Sequence, residues 1–207
     1  MVVNYPNGQP FHKVARPGNQ QIYARPSQSN RGMHLEDDIN AANRYYLALG
    51  QAVIHKKPTP IQIVHVDYPA RAAAKITEAY FRQASTTDYN GVYQGYYLDF
   101  DAKETNNQRS FPLKNIHEHQ VAHLKAVSDQ AGLAMFLIRF NRLRETYLVD
   151  AKLIFKYWNA QQHDRKSIPY SAIKEYGIRI KANLQLALPY LDAVDQLIKL
   201  KDTKENC

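Results

Sequence analysis

The chain predicts a mixed α/β domain, and three stretches carry that expectation. An amphipathic helical run starts near residue 30, a dense β signal fills 86–104, and a second helical run leads into two apolar strands over 115–149. At 207 residues, with 44% hydrophobic and 22% charged residues, the chain is long enough for one buried core and is not disordered as a whole. The first helix follows from Leu35, Ile39, Ala42, Tyr46 and Leu49, spaced by four and three residues in turn. Glu36, Asp37 and Asp38 fall in its first turn, where carboxylates favour the positive end of the helix dipole, and Gly50 closes it. A short strand is expected over 52–55, broken by Lys56-Lys57-Pro58-Thr59-Pro60. A second strand follows over 61–68, with Ile61, Ile63 and Val66 among its apolar members. Residues 71–82 read as helical. Asn90-Gly91, flanked by Tyr, Val and Phe, marks a tight hairpin turn. A helix is predicted over 115–131, then strands over 133–140 and 146–149, and a helical run through Leu153, Phe155 and Trp158. A basic loop over 161–169 and an amphipathic helix over 189–200 complete a single domain without internal repeats.

Charge narrows the function classes. Lys+Arg 27 against Asp+Glu 19 gives +8, with a sequence pI near 9.4, which favours a polyanionic partner. The mean hydropathy is −0.55 and no apolar run approaches a membrane span, so no membrane role is expected. No signal-peptide core precedes residue 10, and a cytoplasmic, nucleoid-associated protein is the expectation. A single cysteine, Cys207, removes a disulfide framework and a cysteine zinc site, and reads as inert. Residues 1–29 hold Pro6, Pro10, Pro17 and Pro26 with Lys13, Arg16 and Arg25 and no acid, and are expected to form a flexible basic arm before a domain over 30–207. Between residues 55 and 82, Lys56, Lys57, Arg71, Lys75 and Arg82 stand against Asp67 and Glu78, a balance of +3. That stretch reads as a basic projection over about 56–82.

The chemistry-bearing residues sit around the β signal. Asp88 precedes the hairpin, and Asp101 and Lys103 follow on the next strand. Residues two apart on a strand share a face, so Asp101 pairs with Lys103 and Thr86 with Asp88. If those strands pair, two carboxylates and an ammonium converge. Hard oxygen donors of this kind suit Mg²⁺, and a nearby lysine can serve an attacking water and the charge developing on a phosphate. The same residues also fit a hairpin with solvated charges and one ion pair. Gln120 lies on the apolar stripe of its helix between Ile116 and Leu124, and is either a core amide bonded to backbone or an oxygen ligand beside the aspartates. His119 and His123 share a helical face at a zinc-compatible spacing, yet no Glu or Cys joins them. With His117 they read instead as a solvated or DNA-facing edge. Glu36 is a candidate supporting carboxylate or a dipole partner. Arg31, Lys56, Lys57, Arg71, Lys75, Arg165 and Lys166 are candidate phosphate contacts, or ordinary solvated charge. Arg71 or Tyr80 could enter a DNA branch point, and some of the 15 tyrosines could stack on bases.

Several long strings resemble one family. NRGMHLEDDIN (30–40), HKKPTPIQIV (55–64), EAYFRQASTTDYNGVY (78–93), DFDAKET (99–105), FPLKN (111–115), HEHQ (117–120) and RKSI (165–168) are similar to the RecU-type Holliday junction resolvases of Gram-positive bacteria. The resemblance implies a restriction-endonuclease-like fold of the PD-(D/E)xK type with a stalk-like projection that meets the junction centre. It also implies a homodimer, and Mg²⁺-dependent nicking of opposed strands at a four-way DNA junction, with Mn²⁺ as a substitute metal and recombinase or branch-migration proteins as partners. It assigns metal positions to Thr86, Asp88, Asp101 and Gln120 and the transition-state lysine to Lys103. Asp101 stands where relatives often have Glu, and 182–207 departs from the Gly/Pro/Arg-containing tail expected of them. A twofold junction independently suits a C2 dimer, for which the apolar 133–158 stretch is a candidate surface. A sequence-specific duplex nuclease, or a junction-binding or annealing protein with little hydrolysis, are the other readings.

Overall fold

The computed structural model describes residues 35–69, 73–82, 86–163 and 165–205. The expected arm over 1–29, Arg31, Arg71 and Cys207 lie outside them. A central six-stranded sheet has the order β1-β4-β5-β7-β8-β10. Its strands are β1 (Ala52–Lys56), β4 (Tyr89–Tyr93), β5 (Tyr96–Thr105), β7 (Leu133–Phe140), β8 (Glu145–Asp150) and β10 (Ile178–Ile180). Every neighbour pair is antiparallel except β5 and β7, which run parallel from Leu98↔Leu133 to Thr105↔Phe140. A parallel pair needs a crossover, and here it is helix α2 (Glu118–Asp129). That crossover lays α2 along β5.

Helices cover both faces. On one side α1 (Leu35–Ala48) and α5 (Leu191–Glu205) pack Leu35, Ile39, Tyr46, Val194 and Leu197 against Leu98, Phe100 and Met135. On the other, α2, α3 (Ala151–Ala160) and α4 (Tyr170–Tyr176) cover Phe136, Ile138, Phe140 and Val149. The small β6–β9 pair (Ser110–Pro112 with Ser167–Pro169) extends this layer. Strand β7 is buried on both faces, which is why 133–140 reads as a continuous apolar run. Its apolarity serves the core, so this strand is no dimer surface. Most of the 161–169 loop reading holds, but 167–169 is recruited as β9. The start of α1 is held from outside the helix. Glu104 accepts the Leu35 N–H at 2.8 Å, and Asp38 meets Arg139 at 2.6 Å.

Two local readings give way. The hairpin turn is at Gln94-Gly95, with φ of +50° and +82°, and not at Asn90-Gly91. A two-residue turn of this hand requires positive φ at both positions, which Gly95 adopts without strain. Gly91 lies inside β4 for a different reason: a Cβ there would collide with the Val53 and Ile54 backbone of β1. The second correction is 71–82. Its helical periodicity loses to cross-strand pairing, and residues Lys75–Phe81 form β3, antiparallel to β2 (Ile61–Asp67). The two strands make a separate ribbon whose residues are almost all exposed on both faces. Its root is closed by the Arg82 N–H donating to Pro60 O at 2.9 Å.

Candidate active site

The alternation of β5 places Tyr97, Asp99, Asp101 and Lys103 on one face, beneath α2. Asp101 is fully buried. The Gln120 amide nitrogen donates to its Oδ2, and Lys103 Nζ lies 2.8 Å from its Oδ1. That Oδ1 contact falls outside hydrogen-bond geometry, so the oxygen has positive charge beside it and no donor on it. Burial pushes the Asp101 pKa up to about 7. Lys103 opposes the rise, and the neighbouring Asp88 carboxylate adds to it. Two carboxylates that crowd each other in a buried site, with one oxygen met only by the Lys103 ammonium, fit a hard divalent cation. Asp88 itself is half-buried just before β4, beside a cleft of about 390 Å³ that also exposes Glu36, Lys56 and Thr86.

The other expected ligands are placed differently. Gln120 belongs to the capping box of α2: its Oε1 accepts the His117 N–H at 3.0 Å, and its nitrogen, not its oxygen, faces Asp101. This geometry makes Gln120 an orienting donor to the carboxylate. The Thr86 hydroxyl donates to the Thr87 carbonyl at 3.3 Å. Among the described residues no three His, Cys, Asp or Glu side chains converge as a metal cluster, so the two aspartates need amide, hydroxyl, backbone or water oxygens to complete a shell. His119 and His123 do not come together as the helical spacing allowed. His119 stacks on His117 with ring centres 5.5 Å apart, and burial, His117 and Lys103 lower its pKa. His123 turns away to Asp99.

Asp99 anchors a second polar centre that the sequence reading did not single out. Its side chain is 0% exposed, yet four groups reach it. The Thr87 hydroxyl donates to Oδ1; Lys57 Nζ at 2.9 Å, the Tyr97 hydroxyl at 2.8 Å and His123 Nε2 at 3.0 Å reach Oδ2. Burial raises its pKa, and the bonds from Thr87, His123, Lys57 and Tyr97 outweigh that, so the pKa is lowered. Lys57 is therefore no free phosphate contact: its ammonium also donates to Thr87 Oγ1 at 3.0 Å. The signal was present in the strand period, since stepping back two residues from Asp101 reaches Asp99. Lys56 pairs with Glu36 at 2.5 Å, both about half exposed, so Glu36 meets a lysine and not the carboxylates. Lys75, Arg165 and Lys166 are exposed, the first on the ribbon and the others beside β9.

The family model described as Recombination protein U matches residues 30–196. Proteins named Holliday junction resolvase RecU are similar along nearly the whole chain. That of Oceanobacillus iheyensis is 56% identical over 200 residues, covering 94% of this chain and 99% of its own. The Levilactobacillus brevis protein is 54% identical over 200 residues (96% and 100%). The Geobacillus kaustophilus protein is 51% identical over 201 residues (95% and 98%).

Proposed function

The chain belongs to the Recombination protein U family, and from that premise we propose that it is an endonuclease that resolves four-way DNA junctions in recombination and repair. Its relatives' name, Holliday junction resolvase, supports the substrate class. The finer reading is Mg²⁺-dependent symmetric nicking of opposed strands, with Mn²⁺ as a working substitute. The observation that carries it is Asp101: a buried carboxylate facing Asp88, with one oxygen lacking a donor and the Lys103 ammonium at 2.8 Å.

Asp88 and Asp101 would hold the metal, with Thr86 contributing directly or through water and Gln120 acting through the carboxylate it holds. The bound cation supplies Lewis-acid polarisation of the phosphate and a more acidic water. Lys103, held beside Asp101 at 2.8 Å, would donate its ammonium protons to the attacking water and to the phosphoryl oxygens as negative charge develops. Gln120 keeps the Asp101 carboxylate from rotating. The mixed sheet, with α1 on one face and α2 on the face that carries Asp101, is consistent with a restriction-endonuclease-like core.

In this reading residues 30–207 form the nuclease domain behind a basic arm, and the β2–β3 ribbon meets the junction centre. Lys56, Lys75, Arg165 and Lys166, with Arg31 and Arg71, track phosphates. A C2 homodimer supplies the paired cuts. The protein works in the cytoplasm at the nucleoid, alongside recombinase or branch-migration proteins.

The test compares a labelled mobile four-way junction with a linear duplex of the same arms, in Mg²⁺ and in EDTA. Paired nicks in opposed junction strands, with Mg²⁺ alone, are expected. Lys103→Ala should lower cutting by about 10²–10³-fold with junction binding retained. Tight binding without cutting in either metal would leave a junction-binding protein, and cutting at one site in linear duplex would leave a sequence-specific nuclease.

A further inference from the structure

We propose that Lys57, Thr87, Asp99 and His123 form a clasp that positions the 86–88 turn and ties it to the root of the β2–β3 ribbon. This assignment rests on the endonuclease reading above, because the turn carries Thr86 and Asp88.

The chain leaves the central sheet at Lys57, runs out and back as the ribbon, and re-enters at 86–88. Lys57 grips the re-entry point twice. Its backbone N–H donates to Asp88 O at 2.7 Å, and its ammonium donates to Thr87 Oγ1 at 3.0 Å. Both residues then converge on Asp99, Thr87 through Oδ1 and Lys57 through Oδ2 at 2.9 Å. From the opposite side His123 of α2 meets the same Oδ2 at 3.0 Å. The ribbon's outgoing limb, its returning limb, strand β5 and helix α2 thus meet on one buried carboxylate.

Thr87 lies between the two candidate ligands of its turn. Thr86 and Asp88 flank Thr87 directly, so anchoring the Thr87 side chain on Asp99 fixes the backbone from which both of them project. Asp99 and Asp101 lie two residues apart on the same face of β5, so the clasp and the proposed metal carboxylate share one rigid strand. A two-stranded ribbon is marginally stable alone, and this anchorage at its root limits how far it swings relative to the site. Groups outside the metal shell that orient ligands typically change metal affinity or activity by about 10–100-fold when removed.

Thr87→Val keeps the shape and removes the hydroxyl, whereas Thr87→Ser keeps the hydroxyl. Mn²⁺ binding without DNA, followed by electron paramagnetic resonance, and single-turnover junction cutting would be measured for both beside the wild type. Thr87→Val should lose about 10–100-fold in Mn²⁺ affinity and cutting, with junction binding in EDTA unchanged, and Thr87→Ser should recover both. If Thr87→Val does not fold, Lys57→Met, which keeps the aliphatic stem, is read in the same assays with the same expected losses. Wild-type Mn²⁺ affinity and cutting in Thr87→Val, or in Lys57→Met when it is the variant read, overturns the clasp, as does a Ser variant as impaired as the Val. A wild type that neither binds Mn²⁺ nor cuts overturns the endonuclease reading instead.

Discussion

Asp99 and Asp101 stand two residues apart on one face of β5, both with fully buried side chains, and they are held in opposite ways. Asp99 is met by Thr87, Lys57, Tyr97 and His123, and keeps its charge below the usual carboxylate range. Asp101 has one amide on one oxygen, an ammonium beside the other, and a second carboxylate for a neighbour, so its pKa rises to about 7. Burial is common to both and decides neither. What differs is the number of donors, and a carboxylate buried short of donors is a site built for something else to complete. Asp99 is saturated by the fold in this sense, and Asp101 is left short of donors.

Replacing each with its amide should break the symmetry between them. Asp101→Asn removes a proposed metal oxygen and should abolish junction cutting, by about 10³-fold or more. In EDTA at pH 8 the same variant should melt above the wild type, because a buried charge that Lys103 only partly offsets is gone. Asp99→Asn leaves Lys57 and His123 facing a neutral group and should destabilise the protein by about 2–3 kcal/mol at pH 7. Equal melting temperatures for the two variants would remove the distinction.

A pH series sharpens it further. The folded Asp101 pKa lies above its ordinary 3.8, so the folded state holds a proton that the unfolded chain has lost. The stability it contributes is full below about pH 4 and is lost as pH rises towards 7. Asp99 runs the other way: its folded pKa is lowered, so its contribution is present above about pH 4 and lost as pH falls through the folded value. In EDTA the melting temperature of the wild type relative to Asp101→Asn should therefore fall between pH 5 and pH 8. Mg²⁺ should restore it at pH 8, since a ligand that binds only the folded state stabilises it. A flat difference across that range would mean that Asp101 does not carry the charge deficit.

The sequence made the proposed metal carboxylates legible and hid the proposed clasp for a physical reason. Asp88, Asp101 and Lys103 are visible as a strand-period pattern with a known chemistry, and the α1 and α5 stripes are visible because helical spacing is local. Asp99 bonds to Lys57, 42 residues away, and to His123, 24 residues away, and no local period reports such partners. The same limit explains 71–82, where the helical spacing of apolar residues is overridden by pairing with β2. It also explains Asn90-Gly91, a good turn dipeptide held inside a strand because β1 passes too close for a side chain.

The smallest effect separates two adjacent lysines. Lys57 has 19% of its side chain exposed and is bonded to a fully buried aspartate, whereas Lys56 is 43% exposed and paired with a Glu36 that is 46% exposed. Solvent screens the second pair, so Lys56→Ala should change stability by less than about 1 kcal/mol. Lys57→Met removes one of four partners of a buried carboxylate and should cost about 1.5–3 kcal/mol. Junction binding should separate them in the opposite direction. A lysine on a phosphate releases counterion, so Lys56→Ala should flatten the dependence of log affinity on log salt by about one unit in EDTA. Lys57→Met should leave that slope unchanged, because its ammonium already has Asp99 and Thr87 as partners. A shallower slope for Lys57→Met would put that ammonium on DNA and free Asp99 from it. No clasp could survive that result, since Lys57 would then reach the 86–88 turn only through its backbone N–H on Asp88 O.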